Sequence, residues 1–126
     1  MVKMSLQASR KTTEANVQFN MAIALMKMNF DVRVEVVPVS YPETRFDVCV
    51  MNGQNIIGVV EMKREVSGDM SEKERIFWTT EQGRRYRALG NKYGFPVLYC
   101  AGQSEINRVA REMKRALMPW FLRWLV

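Results

Sequence analysis

Three charged side chains stand where a buried strand should carry none. They are Asp47, Glu61 and Lys63, in the stretch Phe46–Glu65, which reads FDVCVMNGQNIIGVVEMKRE. Two apolar, strand-like runs meet there at Asn52-Gly53, the strongest short-range hairpin signal. Asp and Glu are poor strand formers, and a lone charge is costly to bury unless it is paired or bound to a metal. With a two-residue loop at Asn52-Gly53, Asp47 falls opposite Gly58 and Glu61 points to the other face, because side chains alternate along a strand. A three-residue loop or a single bulge changes the parity. Asp47 then faces Val59 with Glu61 on the diagonal, and Lys63 projects from the same face one pleat further on.

Two carboxylates within about 4–6 Å of each other demand either a shared proton or a cation between them. An all-oxygen ligand set with open positions suits a hard divalent ion such as Mg²⁺ or Mn²⁺. A lysine beside that ion can hold an attacking water and favour its deprotonated form, while the metal stabilises charge developing on a phosphate. This is the chemistry of phosphodiester hydrolysis.

The rest of the composition narrows the field. The chain has no histidine, which excludes His-based acid–base chemistry and His metal sites. Cys49 and Cys100 fall in strand-like runs without CxxC or Cys/His spacing and read as buried reduced thiols rather than a disulfide or zinc site. A net charge of +6, with Arg84, Arg85, Arg87 and Lys92 close together and Arg108, Arg111, Lys114 and Arg115 further on, points to a polyanionic partner. No apolar run reaches the roughly 20 residues that span a bilayer, and the first residues lack a signal-peptide pattern, so an intracellular protein is expected. The 126 residues read as one domain, 1–126.

The elements that must position the three charges follow from periodicity. Val17, Met21, Ala24, Leu25 and Met28 predict a helix from Thr13 to about Phe30, with Thr12 or Thr13 as N-cap. DVRVEVVPV alternates and ends at Pro38, which predicts a strand at a sheet edge. The hairpin runs are apolar on both faces, as central strands are. Residues 64–78 read as a connector, with Ser71 and Glu74 as a capping box for one or two helical turns. Thr79-Thr80-Glu81-Gln82 opens a helix that runs to about Tyr93 and stops at Gly94; FPVLYCA is the last strand. A final helix from Ser104 to near Pro119 carries the stripe Ile106, Val109, Ala110, Met113 and Leu117. The expected fold is a mixed α/β sheet of about four strands flanked by helices, in the order αβββαβα, with a parallel pair across the strand–helix–strand crossover.

Asp47, then Glu61-Met62-Lys63 at the end of an apolar strand, resembles the signature of the PD-(D/E)xK nuclease superfamily, and the element order resembles its restriction-endonuclease-like core over about residues 13–101. Arg45-Phe46 stands where that signature carries proline. Gln82-Gly83-Arg84-Arg85-Tyr86 is similar to the QxxxY motif of the RecB-like branch and of type I restriction motor subunits, as is Tyr93-Gly94-Phe95-Pro96-Val97-Leu98-Tyr99. Stand-alone phage nucleases of the virus-type replication-repair class are the other comparison, although their Gly-Thr-Pro-Asp form is absent. The resemblance implies a Mg²⁺- or Mn²⁺-dependent deoxyribonuclease leaving 5′-phosphates. Asp47, Glu61 and the Met62 main-chain carbonyl would bind metal, joined by Glu14 on the first helix. Lys63 would orient the water, with Gln82 and Tyr86 contacting the DNA backbone or bracing the site.

Other roles stand beside these. Glu14 also suits the dipole at a helix start, and Gln82 could close a capping box with Thr79. Arg84, Arg85 and Arg87 are expected to join Tyr86 in contacting DNA, or else to solvate a helix face. The apolar tail PWFLRWLV, Pro119–Val126, reads as a lid on the core or as a homodimer interface. The alternative functions are a non-cleaving DNA-binding or anti-restriction protein on the same fold, or a phage inhibitor of a host enzyme.

Overall fold

The computed structural model describes residues 16–39, 44–63 and 69–119. A helix (α1, residues 16–26) is followed by β1 (Asp31–Val36), β2 (Phe46–Asn52) and β3 (Asn55–Met62). Then come α2 (Met70–Thr79), α3 (Glu81–Tyr93), β4 (Val97–Cys100), a 3₁₀ turn at Gln103–Glu105 and α4 (Ile106–Leu117). The strands form one sheet in the order β1-β2-β3-β4, antiparallel except for the parallel β3–β4 pair. This is the mixed α/β sheet that the patterns predict, with the alternating strand at its edge and the hairpin at its centre.

Helices cover both faces. Val17, Met21 and Leu25 of α1 and Ile106, Val109, Ala110 and Met113 of α4 pack on one side against Val48, Val50, Val60 and Cys100. Phe77 of α2 and Tyr86 of α3 pack on the other against Phe46, Cys49, Met51, Val59, Phe95 and Tyr99. The hairpin strands are apolar on both faces because they are buried from both sides.

Helix ends follow their local chemistry. Gly94 stops α3 in the left-handed conformation with φ +78, and the N–H groups of Gly94 and Phe95 both reach the Gly90 carbonyl. Asn29, at φ +68, ends the α1 segment in the same way, with Phe30 N–H on the Leu25 carbonyl. Both cysteines are buried and free. Among the described residues no helix is long and apolar enough to cross a membrane.

Two local expectations are corrected. Residues 69–79 hold a ten-residue helix rather than a connector, and its N-cap is Asp69, which accepts from Ser71 N and Glu72 N. The element order therefore gains a helix between β3 and β4. The hairpin turn lies at Gly53-Gln54, between the paired Asn52 and Asn55, and the ladder slips by one residue at Ile57. Cys49, not Asp47, pairs with Val59, and the register continued past Val48↔Val60 sets Asp47 directly opposite Glu61. A tight turn that on its own would have separated the two carboxylates is reversed by the bulge beside it.

Candidate active site

Asp47 and Glu61 meet at the end of the β2–β3 ladder. The last pair is Val48↔Val60. Beyond it Met62, whose N–H leaves β3 towards β2, donates to Asp47 Oδ2 at 2.9 Å. Glu61 is only 3% exposed, on the face covered by α2 and α3. Its Oε1 lies 3.3 Å from Lys63 Nζ, while its Oε2 is buried without a hydrogen-bond partner. With both acids ionised that oxygen has no donor, an expensive state to bury that a proton or a cation at the pair relieves.

Electrostatics at the pair follow from this packing. Burial, and then the charge of Asp47, push the Glu61 carboxyl up to about 8, with Lys63 pulling the other way; the Asp47 carboxyl is also within hydrogen-bonding reach of it. Without a cation Glu61 keeps its proton near neutral pH. Burial, reinforced by Asp47, likewise pushes the Cys49 thiol up to about 12, so it is an inert core thiol and no nucleophile.

Lys63 is held from two sides. Its Nζ stands over the Phe77 ring, 5.3 Å from the centroid, in addition to the Glu61 contact, and its N–H is fixed to the Cys100 carbonyl at 2.8 Å. The ammonium, still more than a third exposed, reaches the surface beside the orphaned oxygen. Phe77 comes from the helix that the sequence pattern missed, and Tyr99 on β4 pairs with Glu61 in the parallel register. Phe77 and Tyr99 pack together at 4.9 Å and wall the site.

Gln82 and Tyr86 serve as a brace. Thr80, not Thr79, caps α3 by accepting from Gly83 N–H, which leaves the Gln82 side chain free of any capping role. Gln82 Nε2 donates to the Tyr86 hydroxyl at 3.1 Å, and that hydroxyl donates to the Arg45 carbonyl at 2.8 Å. Tyr86 is 2% exposed, with its ring edge-on to Phe46 at 5.1 Å. Burial and then Glu61 hold its phenol above the ordinary value, so it stays a donor. Of its two expected roles the geometry supports bracing, because its hydroxyl is already engaged two residues before Asp47. Gly83 permits the corner, since a Cβ there would lie 2.2 Å from the Phe77 carbonyl oxygen.

The arginines of α3 divide. Arg84, Arg85 and Arg87 are all exposed, but Arg87 stacks on Trp78 at 4.3 Å. On α4, Arg108 is taken up by Glu105 and Glu112. Glu14 and the tail from residue 120 lie outside the described residues, and with them the expected fourth ligand and the expected homodimer interface.

The donor set fits a hard cation. Among the described residues no group of three or more His, Cys, Asp or Glu side chains could hold a metal. Two carboxylates side by side, one with a buried oxygen that receives no donor when ionised, would suit Mg²⁺, which usually takes one or two carboxylates and fills its remaining positions with water. Comparison of the chain with protein-family models, with curated proteins and with solved structures finds no match.

Proposed function

We propose that this protein is a divalent-metal-dependent deoxyribonuclease of the PD-(D/E)xK type, hydrolysing DNA phosphodiester bonds with an Asp-Glu-Lys site. One observation carries the reading. With both acids ionised, the buried Oε2 of Glu61 has no donor, beside Asp47 and with Lys63 on its other oxygen. A lone structural ion pair would leave neither a bare oxygen nor a second acid in contact.

Asp47, Glu61 and the Met62 carbonyl would hold Mg²⁺ or Mn²⁺. Such an ion, when bound, supplies Lewis-acid stabilisation of the charge that develops on the phosphate. Lys63 donates to the attacking water and favours its deprotonated form, and its contacts with Glu61 and Phe77 keep the ammonium in one place. Gln82 and Tyr86 fix the Arg45 carbonyl and so the entry to Asp47. Arg84 and Arg85 offer exposed cations to the DNA backbone on the same helix as the brace.

Two variants test the roles. Asp47→Ala should abolish calorimetric Mn²⁺ binding and cleavage together while the fold survives. Lys63→Ala should keep Mn²⁺ and DNA binding while cleavage falls by about 10²-fold or more. The substrates are labelled linear, circular, flapped and four-way DNA with Mg²⁺ or Mn²⁺. DNA retention without cleavage of any of them would make the protein a non-cleaving DNA binder, and Lys63→Ala cutting at the parent rate would remove lysine from the mechanism.

A further inference from the structure

Residues two apart along a strand share a face of the sheet, and β1 and β2 break this rule at one row. Val34 and Val48, which pair with each other, pack under α1 and α4. Val36 and Phe46, the next pair of the same parity, pack under α2 and α3. Both strands turn over between these pairs. The residue between Val34 and Val36 is Glu35, whose φ is +53; the residue between Phe46 and Val48 is Asp47. A left-handed non-glycine residue inside a strand is uncommon and costs conformational energy.

The strand entering Asp47 is pinned on three sides at this crease. The Arg45 guanidinium is bound to the Glu35 carboxylate at 2.5 Å, its carbonyl takes the Tyr86 hydroxyl, and the Phe46 ring is fully buried between Tyr86 and Phe95. β3 does not turn over with its neighbours, because Val60 and Met62 both pack on the α1 and α4 side. The β2–β3 ladder therefore ends at Val48↔Val60, and the N–H of Met62 finds the Asp47 side chain.

We infer that Glu35 is a positioning residue for the acidic site: its left-handed backbone creases the sheet at the row it shares with Asp47 and turns that carboxylate onto the Met62 main chain beside Glu61. The use of this placement for a cation rests on the nuclease reading, while the placement itself does not. Glu rather than Gly stands at the crease because its carboxylate also clamps Arg45.

Backbone and carboxylate can be separated. Glu35→Gly adopts the left-handed conformation freely and loses the clamp; Glu35→Val disfavours that conformation strongly and prefers a regular strand. In the metal-free protein the Met62 amide signal in ¹H–¹⁵N NMR reports the contact with Asp47, and Asp47→Ala supplies its position when the contact is broken. Glu35→Val should move the signal towards that position and weaken calorimetric Mn²⁺ binding about tenfold or more, as losing a partner that orients a ligand does. Glu35→Gly should leave the signal near the parent's and cost at most about fivefold in affinity, the scale of an exposed ion pair. A folded Glu35→Val protein with an unmoved Met62 amide overturns the inference. Should Glu35→Val fail to fold, Glu35→Ala, which also disfavours the left-handed conformation, takes its place: a Met62 amide moved towards the Asp47→Ala position supports the inference and one that stays at the parent's overturns it. A parent protein that binds no Mn²⁺ or cuts no DNA refutes the nuclease reading alone, because the Met62 signal is read without metal.

Discussion

Replacing Glu61 by Gln should make the protein more stable at alkaline pH, and the amount follows from the site. The carboxyl is raised from 4.5 to about 8 by burial and by Asp47. In acid, both the folded and the unfolded chain carry the proton and the group contributes nothing. Between those two values the unfolded chain has released its proton while the folded chain keeps it, so stability falls by about 1.4 kcal/mol per pH unit as pH rises. Above about 8 the loss is complete, and across the whole span it comes to roughly 5 kcal/mol. That is a large fraction of the stability of an ordinary domain. Below about pH 8 the window is clean, because the chain has no histidine; towards pH 9 the unfolded chain also begins to release the protons of Cys49 and Cys100, which the folded chain keeps, and that loss is common to parent and variant. Urea unfolding at pH 5, 7 and 9 in EDTA should show Glu61→Gln nearly level to pH 7 and the parent weakening far more steeply, the two diverging by several kcal/mol at pH 9. Adding Mn²⁺ at pH 8 should restore the parent and leave the variant unchanged, since only the parent gains a better-bound folded state. A parent whose stability is flat or rising from pH 5 to 9, or a variant that falls as steeply as the parent, would refute the picture of a buried, strained acid.

Two further outcomes test the surroundings of the site. Tyr86→Phe removes the hydroxyl shared by Gln82 and the Arg45 carbonyl, so stability should fall by about 1–3 kcal/mol with cleavage reduced, measured by urea unfolding and turnover; an unaffected protein would show that the brace is idle. Arg84→Ala combined with Arg85→Ala should weaken DNA binding and lower the slope of log affinity against log salt by roughly 2, and an unchanged slope would put the DNA on another face.

What the sequence disclosed and what it hid divide along physical lines. β1 was legible because an edge strand alternates between water and core, and DVRVEV carries that period plainly. The end of α3 was legible because Gly94 is the residue a left-handed cap requires. By contrast, α2 was hidden, since MSEKERIFWT has its apolar residues clustered at Ile76, Phe77 and Trp78 with no helical stripe before them. Its cap, Asp69, lies two residues ahead of the Ser71 that the capping-box pattern favoured. For the candidate site, the residue types and the need for a parity change were readable, but the exact pairing was not. Asn52-Gly53 marks a turn without saying which two residues form it, and nothing in NIIGVV marks Ile57 as the bulge. Tyr99 and Phe77 could not be placed beside Glu61, because the register of a parallel pair is set by how the crossover packs and not by any local signal.

The remaining feature of the site is that its parts conflict with the fold that holds them. β2 and β3 are buried on both faces and would be more stable with apolar residues at positions 47 and 61, since an acid pair in such a place loses hydration that the Lys63 contact only partly replaces. Glu35 adds a second conflict, a left-handed residue in a strand, at the same row of the sheet. Among the other described residues sequence and structure agree: apolar periodicity matches burial in α4, and Asp69, Thr80 and Gly94 cap α2 and α3. Conflicts that fall together on one row of the sheet are hard to attribute to loose packing. A cation between the two acids, which the nuclease reading requires, would relieve the conflict at Asp47 and Glu61 and leave the one at Glu35 in place. On that reading the left-handed turn at Glu35 is the conformational cost of setting Asp47 beside Glu61.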